Sequence, residues 1–142
     1  MLEVPASGVR AASVRMGVIA ENLANAEATR TAQGGPYRRQ VVQLASRPAA
    51  DRWGGLTPGA LANGQVLQEV SVQGIIPAPD ATKKVYDPGH PDADAAGYVE
   101  MPNVDVPMEM ADLTVASRVY QANLAALQSL RRALRDTVDL LG

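Results

Sequence analysis

The chain has 142 residues, enough for one ordinary domain and too few for two independent cores. It is 46% hydrophobic and 20% charged, yet it has no Phe, one Trp and 24 Ala, so its apolar share is built from small side chains. With no Cys, a formal charge of −2 and no long apolar run, the composition excludes disulfide frameworks, thiol chemistry, bulk basic nucleic-acid binding and a helical membrane span. The N-terminus lacks the pattern of a cleaved secretory signal, so any passage out of the cytoplasm is expected to proceed without such a leader.

Proline and glycine divide the chain into three. Eight of ten Pro and nine of twelve Gly lie between residues 31 and 104, and the flanks are nearly free of both. In the first flank, Val9, Ala12, Met16, Ile19, Leu23 and Ala26 recur at alternating spacings of three and four, the heptad pattern of a packed helix. Ser7 is placed to cap it. The short sequence Asn22-Leu23-Ala24-Asn25-Ala26 sets two Asn near its end. One Asn suffices for a C-cap; a second beside an apolar seam points to a side-chain amide that specifies a contact.

The middle reads as strands and loops. Gln65 to Gly74 alternates as a half-exposed strand, with Tyr37 to Leu44 a second candidate strand and Lys83 to Tyr86 a short third. Arg52 to Gly64, with Trp53, reads as loop, and Ile76-Pro77-Ala78-Pro79 as an extended connector. The run Asp87-Pro88-Gly89-His90-Pro91-Asp92-Ala93-Asp94 holds the one His. Its carboxylates could serve a cation, but it lacks the terminal Glu of a calcium loop, and its prolines favour a solvated structural turn. No nucleophile elbow, phosphate loop or dinucleotide fingerprint occurs, so neither an enzyme nor a cofactor is expected. The Arg131, Arg132 and Arg135 cluster, broken by Asp136 and Asp139, reads as a solvated helix face and not as a nucleic-acid patch.

The last flank carries the longer heptad row: Met110, Leu113, Ser117, Tyr120, Leu124, Leu127, Arg131, Leu134, Val138 and Leu141. Asp105 can cap this helix, Pro107 falls in its first turn, and Glu109 and Asp112 suit the N-terminal end of its dipole. At ~1.5 Å per residue the helix spans on the order of 50 Å. A globule of this length measures roughly 37 Å across, so the seam is expected to overhang its own domain. The expected class is α+β: long N- and C-terminal helices forming an antiparallel coiled-coil-like pair, with a small β-rich middle. The expected divisions are 1–30, 31–104 and 105–142, acting as one structural unit.

Asn22 to Ala26 resembles the N-terminal signature of the bacterial flagellar axial proteins, the rod and hook components, and Ser7-Gly8-Val9 resembles the start of the same helix. Pro36-Tyr37-Arg38-Arg39-Gln40-Val41, the stretch from Val85 to Asp105 and Ser117-Arg118-Val119-Tyr120-Gln121-Ala122-Asn123 are similar to motifs of the rod subunits, in the same order and covering nearly the whole chain. The resemblance implies a structural, non-enzymatic subunit of the proximal rod in the basal body, which transmits torque and encloses the export channel. It implies export unfolded through the flagellar type III apparatus, with other copies, other rod proteins, and the export and ring components as partners, and no nucleic acid or small-molecule substrate. Read this way, Asn22, Asn25, Tyr120, Gln121 and Asn123 order helix contacts. Leu23, Leu113, Leu124, Leu127 and Leu134 supply the seam, with Val9, Met16, Ile19, Ala26, Val138 and Leu141 along the same rows.

Overall fold

A computed structural model describes residues 2–49 and 68–141, with the side chain of Leu141 excluded. The elements run α1 (Glu3–Ala24), β1 (Gln40–Pro48), β2 (Gln68–Pro77), β3 (Thr82–Tyr86), β4 (Tyr98–Pro102) and α2 (Val106–Leu141). The class is α+β, with a helix at each end and two small sheets between them, β1 with β2 and β3 with β4. The expected loop from Arg52 to Gly64, with Trp53, and the expected strand start from Gln65 to Leu67 lie outside the described residues. Two compact units form: Met1–Val14, Gln43–Gly74 and Ala116–Gly142 in the first, Arg15–Val42 and Ile75–Val115 in the second.

The start of α1 differs from the expected cap at Ser7. The helix begins at Glu3, with Pro5 in its first turn, where the missing N–H is no loss. Ser7 is therefore inside the helix and buried. Its hydroxyl donates to the Val4 carbonyl at 2.7 Å and accepts the backbone N–H of Val70 at 3.1 Å, so a helix side chain satisfies a strand donor. Around it the first unit buries Ala11, Ala12 and Ala116. Gly8 makes the tightest approach: a Cβ there would lie 2.8 Å from the Asn123 side chain of α2. The alanine-rich composition thus serves close backbone approach more than bulk burial.

The cap of α2 is as expected: the Asp105 carboxylate accepts the N–H of Met108 at 3.0 Å, and Pro107 lies in the first turn. Its 36 residues correspond to about 54 Å of helix. The less exposed row along it runs Glu109, Leu113, Ala116, Tyr120, Asn123, Leu127 and Leu130. This shares Leu113, Tyr120 and Leu127 with the apolar row but turns Glu109 inward in place of Met110 and Ala116 in place of Ser117, while Leu124 is also half-buried. Every side chain from Arg131 to Leu140 is exposed.

In the second unit, the β3–β4 hairpin is antiparallel, pairing Thr82 with Pro102 and Tyr86 with Tyr98. The strand at Tyr98–Pro102 was not expected, and β2 runs through Pro77 into the expected connector. Val99 is fully buried with Val104, Ala78, Ala81, Val18 and Ile19, while the two tyrosines stack edge-on outside at 5.2 Å. The hairpin loop holds the acidic run in a self-capped form. Asp87 accepts from Gly89 N–H, and Asp94 Oδ1 accepts from the N–H groups of Ala96 and Tyr98. Asp92 takes the Thr29 hydroxyl at 2.8 Å and pairs with Arg30. Among the described residues, no group of three or more His, Asp or Glu is arranged to hold a metal ion.

Gly97 closes this loop at φ 83°, and a Cβ there would lie 3.0 Å from the Tyr86 ring and 3.2 Å from the Pro88 Cβ. Gly97→Ala is expected to cost about 1–3 kcal/mol, read by urea denaturation of the purified chain. The Thr29 hydroxyl, and after it the Arg30 guanidinium, hold the Asp92 carboxyl below its ordinary value of 3.8 against the opposing effect of burial. A depressed folded-state pKa stabilises the loop above that value, and the contribution is lost as pH falls through it. NMR titration should show the loop resonances shifting below pH 3.8, and Thr29→Val should move the Asp92 titration upward. An unchanged Asp92 midpoint in that variant would contradict this account.

Candidate functional site

No cofactor-like constellation organises the described chain. Its most concentrated polar chemistry is a buried knot in the second unit, assembled from three segments distant in sequence. Asn22 is 1% exposed near the end of α1. Its Oδ1 accepts the Gln40 N–H at 2.9 Å and the Tyr37 hydroxyl at 3.0 Å, and its Nδ2 donates to the Gln40 carbonyl at 2.9 Å. One side-chain amide therefore occupies both backbone groups at the first residue of β1, as a neighbouring strand would. The second Nδ2 proton reaches Glu109 Oε2 at 3.4 Å, a long contact.

Glu109 is also 1% exposed, in the first turn of α2. Arg39 approaches the other carboxylate oxygen, with Nε at 2.7 Å and Nη2 at 2.6 Å. A buried carboxylate costs several kcal/mol, in order of magnitude, unless paired and hydrogen-bonded, and here both oxygens are engaged. Burial, and then the charges of Glu21 and Glu109, push the Tyr37 phenol above its ordinary value, so it remains protonated and donates to Asn22. The backbone of Arg39 is bracketed as well: its carbonyl accepts from Ala78 N–H at 2.8 Å and its N–H donates to the Ala81 carbonyl at 3.4 Å. No buried side-chain polar atom among the described residues lacks a partner.

The two asparagines of the signature thus do different things. Asn25 donates its amide to the Glu21 carbonyl at 2.9 Å, four residues back, beside its own backbone N–H at 3.1 Å, so its side chain bonds locally. Asn22 makes the long-range contacts. Of the other assembly candidates, Ile19 is buried, and Val9, Met16, Leu23, Ala26, Leu113, Tyr120, Leu124 and Leu127 are half-buried. Asn123 is half-buried against Gly8 and donates its amide to the Val119 carbonyl. Gln121, Leu134 and Val138 are exposed, and Leu141 ends the helix with its side chain outside the described set. Sequence reasoning passed over Ser7 as a packing residue and read Glu109 only as a dipole partner. The signal for Glu109 was available in part, since an acid at a first-turn position that shares the face of Leu113 and Ala116 is turned inward.

Removing the Asn22 amide strands a buried N–H and C=O of Gln40. Asn22→Ala is expected to destabilise the chain by about 2–4 kcal/mol, and Glu109→Gln by about 1–3 kcal/mol. Because the two share a network, the double variant should lose less than the sum of the singles in urea denaturation. Strict additivity would show that the two groups do not act together.

The C-terminal part, residues 95–140, matches the family model for the flagellar basal body rod FlgEFG protein C-terminal region. Over its length the chain is similar to flagellar basal-body rod protein FlgC of Borreliella burgdorferi, 39% identical over 145 residues, covering 99% of this chain and 95% of that protein. FlgC of Salmonella typhimurium is 39% identical over 142 residues with the same coverage. FlgC of Bacillus subtilis is 36% identical over 144 residues, covering 98% of this chain and 95% of the relative. The Asn22 signature, the Tyr37-Arg38-Arg39 run and Glu109 all fall inside these alignments, and at such identity across both partners the chain belongs to the FlgC family of flagellar basal-body rod proteins.

Proposed function

We propose that this chain polymerises through its terminal helices into the tube of the proximal rod, the drive shaft that transmits torque and encloses the export channel, and that flagellum assembly and motility require it. Residues 1–30 and 105–142 supply the wall as an antiparallel coiled-coil-like pair, and residues 31–104 supply the outward-facing middle. The chain reaches this site through the flagellar export apparatus and meets the ring components there.

The observation that carries this reading is the end of α2. From Arg131 to Leu140 no described side chain is buried, and Leu134, Val138 and Leu140 are 52%, 66% and 87% exposed. Burying a side chain of this size gains roughly 1.5–3 kcal/mol. A lone subunit forgoes that gain over the last turns, and a helix left open to solvent on every side has no reason to keep an apolar row at alternating three- and four-residue spacings. Packing against neighbouring helices supplies the reason. The close approach at Gly8 and Asn123, together with Ala11, Ala12 and Ala116, supports a wall built on short interhelical distances. A small core also suits a subunit that is threaded unfolded.

Leu134→Asp separates folding from assembly, because the side chain is already in water in the single chain. Its unfolding free energy should remain within about 0.5 kcal/mol of the parent. Cells relying on it should lack assembled rods and fail to swim, as should a strain lacking the chain altogether. A swimming deletion strain would refute the proposal.

A further inference from the structure

The first unit has an open groove of about 690 Å3, lined by Leu2, Ala6 and Arg10 of α1, by Pro48 of β1, and by Leu127 and Arg131 of α2. Leu2, Ala6, Pro48 and Leu127 supply its apolar lining, and Arg10, Arg47 and Arg131 its basic groups. Glu69, also in the lining, is occupied by Arg47 at 2.5 Å, and Glu3 is the other acid there. Arg10 and Arg131 make no ion pair among the described residues.

The second unit presents the opposite chemistry. Met108, in the first turn of α2, is 61% exposed at the edge of a hollow that Asp80, Asp105 and Pro79 also line. Val106 beside it is exposed as well. Asp80 has no ionic partner among the described residues, and Asp105 is engaged only by the cap of its own helix. The knob is therefore a large apolar side chain flanked by two carboxylates. Basic residues outnumber acidic ones in the first unit, and acidic outnumber basic in the second.

We propose that the Met108 knob of one copy seats in the groove of a second copy, with Asp80 and Asp105 facing Arg10 and Arg131. This rests on the polymerisation reading and names the surfaces that meet. Because groove and knob are different patches, the contact is heterologous: each copy that fills a groove still offers its own groove to the next. Such contacts propagate along a helical path instead of closing as a two-fold dimer. The charges fix partner and register, while Leu2, Ala6, Pro48 and Leu127 supply apolar area against Met108.

The chain has no cysteine, so introduced thiols report directly. Copies carrying Ala6→Cys and copies carrying Met108→Cys are expressed together in the motile host, and isolated basal bodies are oxidised. A cross-linked species near twice the 14.9 kDa chain mass is expected only when both kinds of copy are present. Asp80→Arg and Arg131→Asp should each abolish swimming, and the two together in one chain should restore it. Assembled rods without that species, a cross-link to a chain of different mass, or a charge exchange that restores nothing would each overturn the contact and leave the rod assignment standing. A strain without the chain that still swims would remove both.

Discussion

The bonds of one side-chain amide determine how the second unit is organised. Asn22 holds both backbone groups of Gln40 and so fixes where β1 begins relative to α1. Arg39, the residue before, is thereby brought to Glu109, and the first turn of α2 is tied to the same point. A hydrophobic contact could hold these segments near one another but would choose poorly between registers two residues apart, because every second strand residue faces the same side. Directional hydrogen bonds from a buried amide make that choice, as a single buried Asn does between helices. In a chain whose core is largely alanine and valine, with no Phe, polar specificity takes on work that shape complementarity does elsewhere.

The first unit solves a related problem with different means. Its helices approach at Gly8 and Asn123, and the hydroxyl of Ser7 supplies the acceptor that a strand N–H requires. Ser7, Gly8 and the buried alanines cost little side-chain entropy and occupy little space. Its large apolar residues on α2 are partly displaced outward: Leu134, Val138 and Leu140 are all more than half exposed. Taken singly, an exposed apolar residue needs no explanation; an ordered row of them on one helix does.

Much of this was legible in the residues, for reasons that can be stated. The helix from Val106 announces itself through Asp105 and Pro107, because capping and first-turn proline act within a few residues. The pair of asparagines near the end of α1 stands out in the sequence because a helix end has use for one Asn only; in the structure Asn25 bonds locally to Glu21 and Asn22 bonds at long range to Gln40. What escaped were features decided at a distance. Ser7 has the chemistry of a cap but lies inside a helix begun four residues earlier, with Pro5 fitting its first turn. The strand at Tyr98–Pro102 is short and ends in proline, and it is secured by its pairing with Thr82–Tyr86 more than by its own pattern. Glu109 looks like a dipole partner until Arg39 is placed beside it, and that placement depends on Asn22.

The knot also sets a timetable. Asn22 and Glu109 are separated by 87 positions, and Arg39 and Glu109 by 70. A chain that becomes available N-terminus first can form α1 and the Asn22–Gln40 bonds early, but it has no acceptor for Arg39 until residue 109 has emerged. Until then the guanidinium stays in water and the segment lacks its lock, and closing so long a loop is entropically deferred in any case. Completion of the second unit is thus made to wait for the start of α2, and the exposed apolar row follows it later along the same helix.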